Sequence, residues 1–443
     1  MNELISLLPP AIAIILVIIT RKALISLLIA TIVGAGLVIY EKGATTLLTL
    51  ILEIVTEPFN LKLILGLALL GAFIGIIDVA LKKKNIVSNI LNSRKKVLIK
   101  SWIVGMLLFI DDYFNILLNG VLMNSFVKKY HISREKVALI IHSLGVSSCV
   151  LVPFSTWSIF IISLLKNSQV PNAMEVFVGS ILYNFYSLSL VLITFAIILF
   201  EINVLKLKKV EEDACGDYKL GLRDDIALKD ALFPPVILLI TAMLLIIALT
   251  KGTFEGLKSL DVTAVLITSS VIGIAFAIFY YSKKIKAKKI ELLKGTMHGA
   301  SGMAEAVGIL CLAWCLGSIS IHLDTAIVIQ SVSTHIGTGS IYLLAFLITA
   351  GLSFLTSSWT AFGIVIPILI PLANAISGNL AILVAAIISG GVFGDHNSPI
   401  SSTTIITKAA SKIKIMDHFH TQLPYSMIAF LISTYLFFLM GRV

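Results

Sequence analysis

The chain is poor in charge. Only 13% of its 443 residues are Asp, Glu, Lys or Arg, where a soluble domain carries about 25%. A formal net charge of +10 would suggest nucleic acid in a soluble protein, but the basic residues here sit in short loops between apolar runs. Cysteine is scarce as well. Cys149, Cys215, Cys311 and Cys315 make no C-x-x-C pair, and three of the four lie inside apolar segments, which argues against disulfides and metal clusters. No phosphate-cradling P-loop is present, which argues against an ATP-driven pump. No Gly-x-Ser-x-Gly elbow or H-E-x-x-H helix appears, so a hydrolase, and an enzyme generally, is not expected. No bound cofactor is implied. The first residues, Met1 to Pro10, lack a basic leader region, and the apolar run after them reads as a retained span rather than a cleaved signal.

What the chain has is hydrocarbon. It is 58% hydrophobic with a mean hydropathy of +1.02, which implies many membrane spans. A span needs about 20 apolar residues to cross roughly 30 Å of hydrocarbon. Continuous candidates occupy 7–20, 23–40, 62–81, 176–203, 232–250, 262–282, 303–321 and 424–441. Four more apolar stretches, 102–126, 137–165, 338–377 and 379–408, carry polar residues in their middles.

Charge asymmetry orients these segments. The loops at 21–22, 82–100, 127–137, 204–230, 283–296 and 408–414 hold 28 of the 34 Lys and Arg residues, and basic loops stay cytoplasmic. The stretch 102–126 then begins and ends inside, as a re-entrant hairpin with its tip near Asp111. The stretch 338–377 begins and ends outside, with its tip near Ser358. The stretches 137–165 and 379–408 join opposite sides and are expected to be spans broken at mid-membrane. The expected fold is an all-α polytopic membrane protein with an inverted repeat. Residues 1–203 and 231–443 each supply about five spans and one hairpin, joined by a solvated cytoplasmic linker at 204–230. The connectors 44–58 and 284–296 hold equivalent places as short interfacial helices. Inverted repeats with discontinuous helices mark secondary transporters.

The polar breaks carry the chemistry. Unwound backbone at mid-membrane survives only against protein or water, and hard cations take carboxylate, carbonyl and hydroxyl oxygens. In Gly394-Asp395-His396-Asn397-Ser398-Pro399-Ile400-Ser401-Ser402-Thr403-Thr404, the candidate cation or proton ligands are Asp395, His396, Ser398, Ser401 and Thr403. In Asp111-Asp112-Tyr113-Phe114-Asn115 they are Asp111, Asp112 and Asn115. Adjacent carboxylates repel, so a proton or a cation must sit between them. Asp112 and Asp395 are the expected direct ligands of a sodium ion. Ser155, Thr156 and Ser358 add hydroxyls, while Trp157 and Trp359 are candidates to wall the site. His142, on the approach to Pro153, is a candidate proton relay or substrate contact. The alternative readings are a helix cap for Asp395, an ion pair with a cytoplasmic lysine for one of Asp111 and Asp112, and helix packing for the hydroxyls.

The 394–404 string, with Asp417-His418-Phe419-His420-Thr421-Gln422-Leu423-Pro424-Tyr425 after it, closely resembles the NhaC-type sodium/proton antiporter family. So do Phe109-Ile110-Asp111-Asp112-Tyr113-Phe114-Asn115, Ile132-Ser133-Arg134-Glu135-Lys136, Tyr183-Asn184-Phe185-Tyr186, Ala313-Trp314-Cys315-Leu316-Gly317 and the opening Pro9-Pro10-Ala11-Ile12-Ala13. The resemblance spans nearly the whole chain. It implies an ion-transporter-superfamily fold and exchange of Na+ for H+ in the cytoplasmic (inner) membrane. Some members of that group instead couple ions to small carboxylates or amino acids. Expected partners are Na+, H+, membrane lipid and a second copy of the chain in a homodimer; nucleic acid is not one. The family pattern carries acids where His142 and Ser402 stand, and Gly-Thr-Ser-Trp-Gly-Thr where this chain has Thr356-Ser357-Ser358-Trp359-Thr360-Ala361.

Overall fold

The computed structural model describes residues 5–6, 8–20, 22–81, 84–87, 93–127, 130–212, 224–253, 256, 260–323, 338–375, 378–399 and 401–442. Eight helical stretches among them are long and apolar enough to cross a membrane. Their burial is graded. The interrupted span Leu380–Asn397 is the most enclosed, with 83% buried inside protein, Pro58–Ala80 follows at 61%, and Lys229–Thr250 and Leu24–Lys42 are among the most open at 22% and 28%. The span with a polar interruption thus lies in the protein interior, where such a break can survive, and apolar spans such as Lys229–Thr250 lie at the rim.

The first half runs α1 (Leu8–Thr20), α2 (Ala23–Lys42), α3 (Ala44–Thr56) and α4 (Pro58–Leu81). The hairpin α5 (Arg94–Leu107) and α6 (Asp112–Val127) comes next, then the broken span α7 (Arg134–Val150) and α8 (Thr156–Asn167), then α9 (Ala173–Ile181) and α10 (Phe185–Phe200). After α11 (Leu205–Glu212), the second half repeats the order: α12 (Leu228–Thr250), α13 (Val262–Lys284), α14 (Lys289–Gly302) and α15 (Ala304–His322). Its hairpin is α16 (Thr338–Leu355) and α17 (Ser358–Ala375), its broken span is α18 (Leu380–Asn397) and α19 (Ser402–Ser411), and α20 (Ile415–Met440) closes the chain. Packing between the halves is reciprocal. Helix α2 lies on α15 as α13 lies on α4, and the hairpin helices α6 and α17 pack on α19 and α8, the second pieces of the opposite broken spans.

Each break is written in short polar side chains. Asp111 Oδ1 accepts the Phe114 N–H at 3.0 Å and starts α6. Ser155 and Ser158 form a capping box that starts α8. Ser357 Oγ accepts the Thr360 N–H at 3.2 Å in α17, and Ser401 Oγ accepts the Thr403 N–H at 3.2 Å in α19. Such caps satisfy the first amide groups of a helix, so a chain can stop and restart in a dry interior.

Several boundaries differ from the sequence expectation. The stretch 176–203 is two helices parted at 182–184, where Asn184 Oδ1 accepts from Ser389 Oγ at 2.9 Å. Helix α20 begins at Ile415, well before residue 424, because Pro424 is carried inside it. The linker is docked where it is described. Leu207 is fully buried, and Glu211 binds Arg94, the Ser133 N–H at 2.7 Å and, at 3.5 Å, Lys136. Residues 84–87 pair with 224–227 as two parallel strands, a small addition to an otherwise helical fold. The rest of the linker, 213–223, lies outside the described residues.

The connector at 284–296 departs most. It becomes α14, which crosses α4 at backbone contact. A Cβ on Gly75 would lie 2.1 Å from the Gly295 carbonyl oxygen, and one on Gly299 would lie 2.1 Å from that of Gly71. Glycines four apart on both helices are what permits this approach, and close backbone packing holds membrane helices together where no hydrophobic driving force acts. We expect Gly75→Ala to destabilise the protein by about 1–3 kcal/mol, the usual range for overpacking. In Gly36→Ala the new methyl would meet nothing within 4 Å, so that variant is the control. Melting of the two purified variants in detergent compares them; equal melting points would refute the tight crossing.

Candidate ion-binding site

The tip of the first hairpin, the break of the first broken span and the break of the second meet in the protein centre. Asp111, Asp112 and Asp395 are 2%, 1% and 3% exposed. Asp111 is held by its own helix cap and by the Thr156 hydroxyl, which donates to Oδ2 at 3.1 Å. The Thr156 N–H donates to the Ile110 carbonyl at 2.9 Å, so α8 is stitched to the hairpin tip at two points. Asp395 is held from the other half. Thr403 Oγ1 donates to its Oδ2 at 2.6 Å, and Ser401 Oγ lies 2.7 Å behind Thr403 Oγ1. The backbone N–H of Ser358, at the tip of the second hairpin, also donates to Asp395. All four polar breaks thus touch the same small volume.

Asp112 is the exposed nerve of this arrangement. It lies within electrostatic reach of both Asp111 and Asp395, yet its Oδ2 is buried with no hydrogen-bond partner. The Trp157 indole lies beside it, with Nε1 also unpartnered. Asn115 donates to the Gly105 carbonyl at 2.6 Å and to Ser148 Oγ at 3.1 Å, which leaves its Oδ1 buried and free. Ser358 Oγ and Ser398 Oγ are buried and free as well. Unpaired buried oxygens are costly in protein, and carboxylate, amide and hydroxyl oxygens of this kind are the types that a hard cation takes.

A cavity of about 70 Å³ opens onto the carboxylates. It is lined by Asp111, Asp112 and Tyr113 of the first hairpin, Ser357 and Trp359 of the second, Ser402 of α19, and Glu305 with its neighbours Gly302 and Met303. Trp157 and Trp359, one from each half, meet edge to face with ring centroids 6.2 Å apart and wall the region.

Not every expected ligand arrives. Ser155 Oγ donates to the Cys149 carbonyl and sits 2.6 Å from Ser158 Oγ, so it builds the break instead of facing the carboxylates. His396 turns away from Asp395. Its Nδ1 meets Tyr186 OH at 2.9 Å and its Nε2 meets Ser143 Oγ at 3.3 Å. His142 lies with it, ring centroids 4.6 Å apart, on the seam between α7, α18 and α20. Two lining residues escaped the sequence reading. Glu305 lies near the start of the apolar run 303–321, just after the break between α14 and α15 at Met303, and lines the cavity with Gly302 and Met303. Tyr113 sat in plain view between Asp112 and Phe114 without a role. We expect Ser402→Cys, whose position is exposed on the cavity, to react with a water-soluble thiol reagent in a cysteine-free background. Thr403→Cys, at a position 2% exposed, should resist. Equal labelling of the two would refute the cavity.

Comparison with known proteins bears on the family and the fold. The family model for the Na+/H+ antiporter family matches residues 148–442. An uncharacterized protein of Haemophilus influenzae is 27% identical over 95% of this chain and 88% of its own length. The malate-2H(+)/Na(+)-lactate antiporter of Bacillus subtilis is 30% identical over 34% of this chain and 33% of its own. The crystal structure of the YdaH transporter from Alcanivorax borkumensis superposes with a TM-score of 0.63 at 13% identity, covering 98% of both chains, and shares the fold. With its matched region running from the first broken span to beyond the end of α20, the chain belongs to the Na+/H+ antiporter family.

Proposed function

We propose that this protein is a secondary active transporter of the cytoplasmic membrane that exchanges Na+ for H+ by alternating access. The observation that carries the reading is Asp112. It is a buried carboxylate beside two others from opposite halves, with one oxygen left unpaired. Three carboxylates at close range in a dry site cannot all be ionised unless a cation neutralises them. Either protons or a sodium ion meet that demand, and they exclude each other. Competition for one set of oxygens is the coupling: sodium entering on one side displaces protons, and protons entering on the other displace sodium. Asp112 and Asp395 supply the charge; Asn115 Oδ1, Ser358 Oγ and nearby carbonyls supply neutral oxygens. The two hairpins, entering from opposite faces, close the site to each side in turn.

A second reading, a Na+- or H+-coupled transporter of a small carboxylate or amino acid, draws on a cleft of about 530 Å³ at the predicted external side. Lys62, Lys166, Asn172 and Asp261 help line it, a size and charge suited to a small organic ion. Lys62 pairs there with Asp261 at 2.9 Å, and Lys166 stands over the Phe59 ring at 3.9 Å.

In everted vesicles loaded with a pH-sensitive dye, added sodium should dissipate a preformed acid interior. We expect Asp112→Asn and Asp395→Asn each to lower that response at least tenfold, since each removes one of the charges that the cation must balance. A sodium response that survives both substitutions would overturn the exchange mechanism. Uptake of a labelled organic acid without any ion-only proton flux would favour the second reading.

A further inference from the structure

Away from the carboxylates, a second polar cluster crosses the seam between the halves. His142 on α7 meets His396 on α18 and His418 on α20, all three fully buried, with ring centroids 4.6 Å and 5.1 Å from that of His142. The hydrogen-bond partners favour one set of ring tautomers. Gln422 donates its amide N–H to the His396 carbonyl, which turns Oε1 toward His142 Nδ1 at 3.1 Å. An amide oxygen only accepts, so His142 carries its proton on Nδ1. His418 Nε2 lies 2.8 Å from the same Nδ1 and must be an acceptor, leaving the His418 proton on Nδ1. Tyr186 OH accepts from Asn397 Nδ2 at 3.4 Å; donation of its own proton to His396 Nδ1, 2.9 Å away, uses all of its hydrogen-bonding capacity and leaves His396 Nε2–H facing Ser143 Oγ at 3.3 Å. Ser426 Oγ donates to Asn397 Oδ1 at 2.6 Å, which fixes the orientation of that amide.

One basic atom is left over. His142 Nε2 holds a lone pair, is buried, and has no partner. The other orphan in the cluster, His418 Nδ1, is a donor by the same assignment and cannot accept. We propose that His142 is a second proton-binding residue of this transporter, taking the proton on Nε2, and that Gln422 is the positioning residue that keeps this atom free. The inference rests on the antiport reading for its role in transport, but not for its chemistry.

The surroundings say when the proton is taken. The ionisable groups that act on His142 are His396 of α18 and His418 of α20, with no carboxylate among them; Tyr186 of α10 closes the far side of His396. A proton placed on Nε2 finds no acceptor while the seam is shut. Loading therefore accompanies parting of α7 from α18 and α20, which lets water reach the ring. Proton uptake and relative motion of the halves become one event. The cluster does not read as a metal site, since both His396 nitrogens are spent on Tyr186 and Ser143, and no three His, Cys, Asp or Glu groups among the described residues are gathered as ligands.

Nitrogen-15 NMR of the full-length protein in lipid bilayers, with histidine labelled and rings assigned by single His→Asn variants, tests the chemistry directly. The expected result is a neutral His142 with Nδ1–H at alkaline pH, and His142 as the first of the three rings to become imidazolium on acidification. A His142 tautomer bearing Nε2–H would overturn the proposal, as would a His142 that stays neutral while His396 or His418 charges. In proteoliposomes, Gln422→Glu should move the midpoint of the pH profile of sodium-driven proton flux upward by about one unit, as a carboxylate near an imidazolium does. Gln422→Leu, which removes the acceptor, should move it downward. Unmoved midpoints in both folded variants would refute the positioning role. If the unmodified protein shows no sodium-driven flux, the antiport reading fails while the spectra still decide the proton site.

Discussion

Two buried carboxylates lie within electrostatic reach of a third, Asp112, and among the described residues no cationic side chain acts on any of them. That single electrostatic deficit organises the rest of the protein. A fixed lysine or arginine beside Asp112 would satisfy the charge permanently, and nothing would need to come and go. Because the balancing charge must arrive from outside, the chain has to bring oxygens to mid-membrane without exposing them to lipid. Four interrupted helices do this. Their caps, built from Asp111, Ser155, Ser357 and Ser401, let the backbone stop in hydrocarbon depth, and the apolar rim of α2, α12 and α13 keeps lipid away from the gaps.

Much of this was legible in the sequence. Alternating loop charge, set against four polar interruptions, yields the hairpins, the broken spans and the repeated order, because insertion energetics leave few other ways to place Asp111 or Asp395 in an apolar run. The carboxylates and the hydroxyls of Thr156 and Thr403 were legible for the same reason. Other residues were not. Ser155 and Thr156 read alike as hydroxyls, and only coordinates show that one caps a helix while the other reaches Asp111. Glu305 reads as interfacial because its role depends on a kink at Met303. The α4–α14 crossing was hidden because glycines four apart on two distant segments signal contact only once the partner is known.

One turn of α18 divides two chemistries. Asp395 looks into the carboxylate pocket, while the next residue, His396, looks into the imidazole seam. Successive residues on a helix point about 100° apart, so the C-terminal turn of α18 is bound on one side to the hairpin tips and on the other to α7 and α20. Rotation or unwinding of that turn alters both environments together, which gives the carboxylate site and the seam a shared mechanical element without a long relay between them.

The short helix α11 is anchored to both halves. Glu211 grips Arg94 and the start of α7, while Lys206 binds Asp417 at 2.6 Å and Tyr425 OH bridges the Ile202 carbonyl and the Val204 N–H. An arm of eight residues, fastened at two ends, acts as a fulcrum. Displacement is smallest where it sits and grows with distance along the bundle. Swinging of one half against the other should thus have its greatest amplitude at the far end of the bundle, where the cleft around Lys62 and Lys166 is bridged by the Lys62–Asp261 pair.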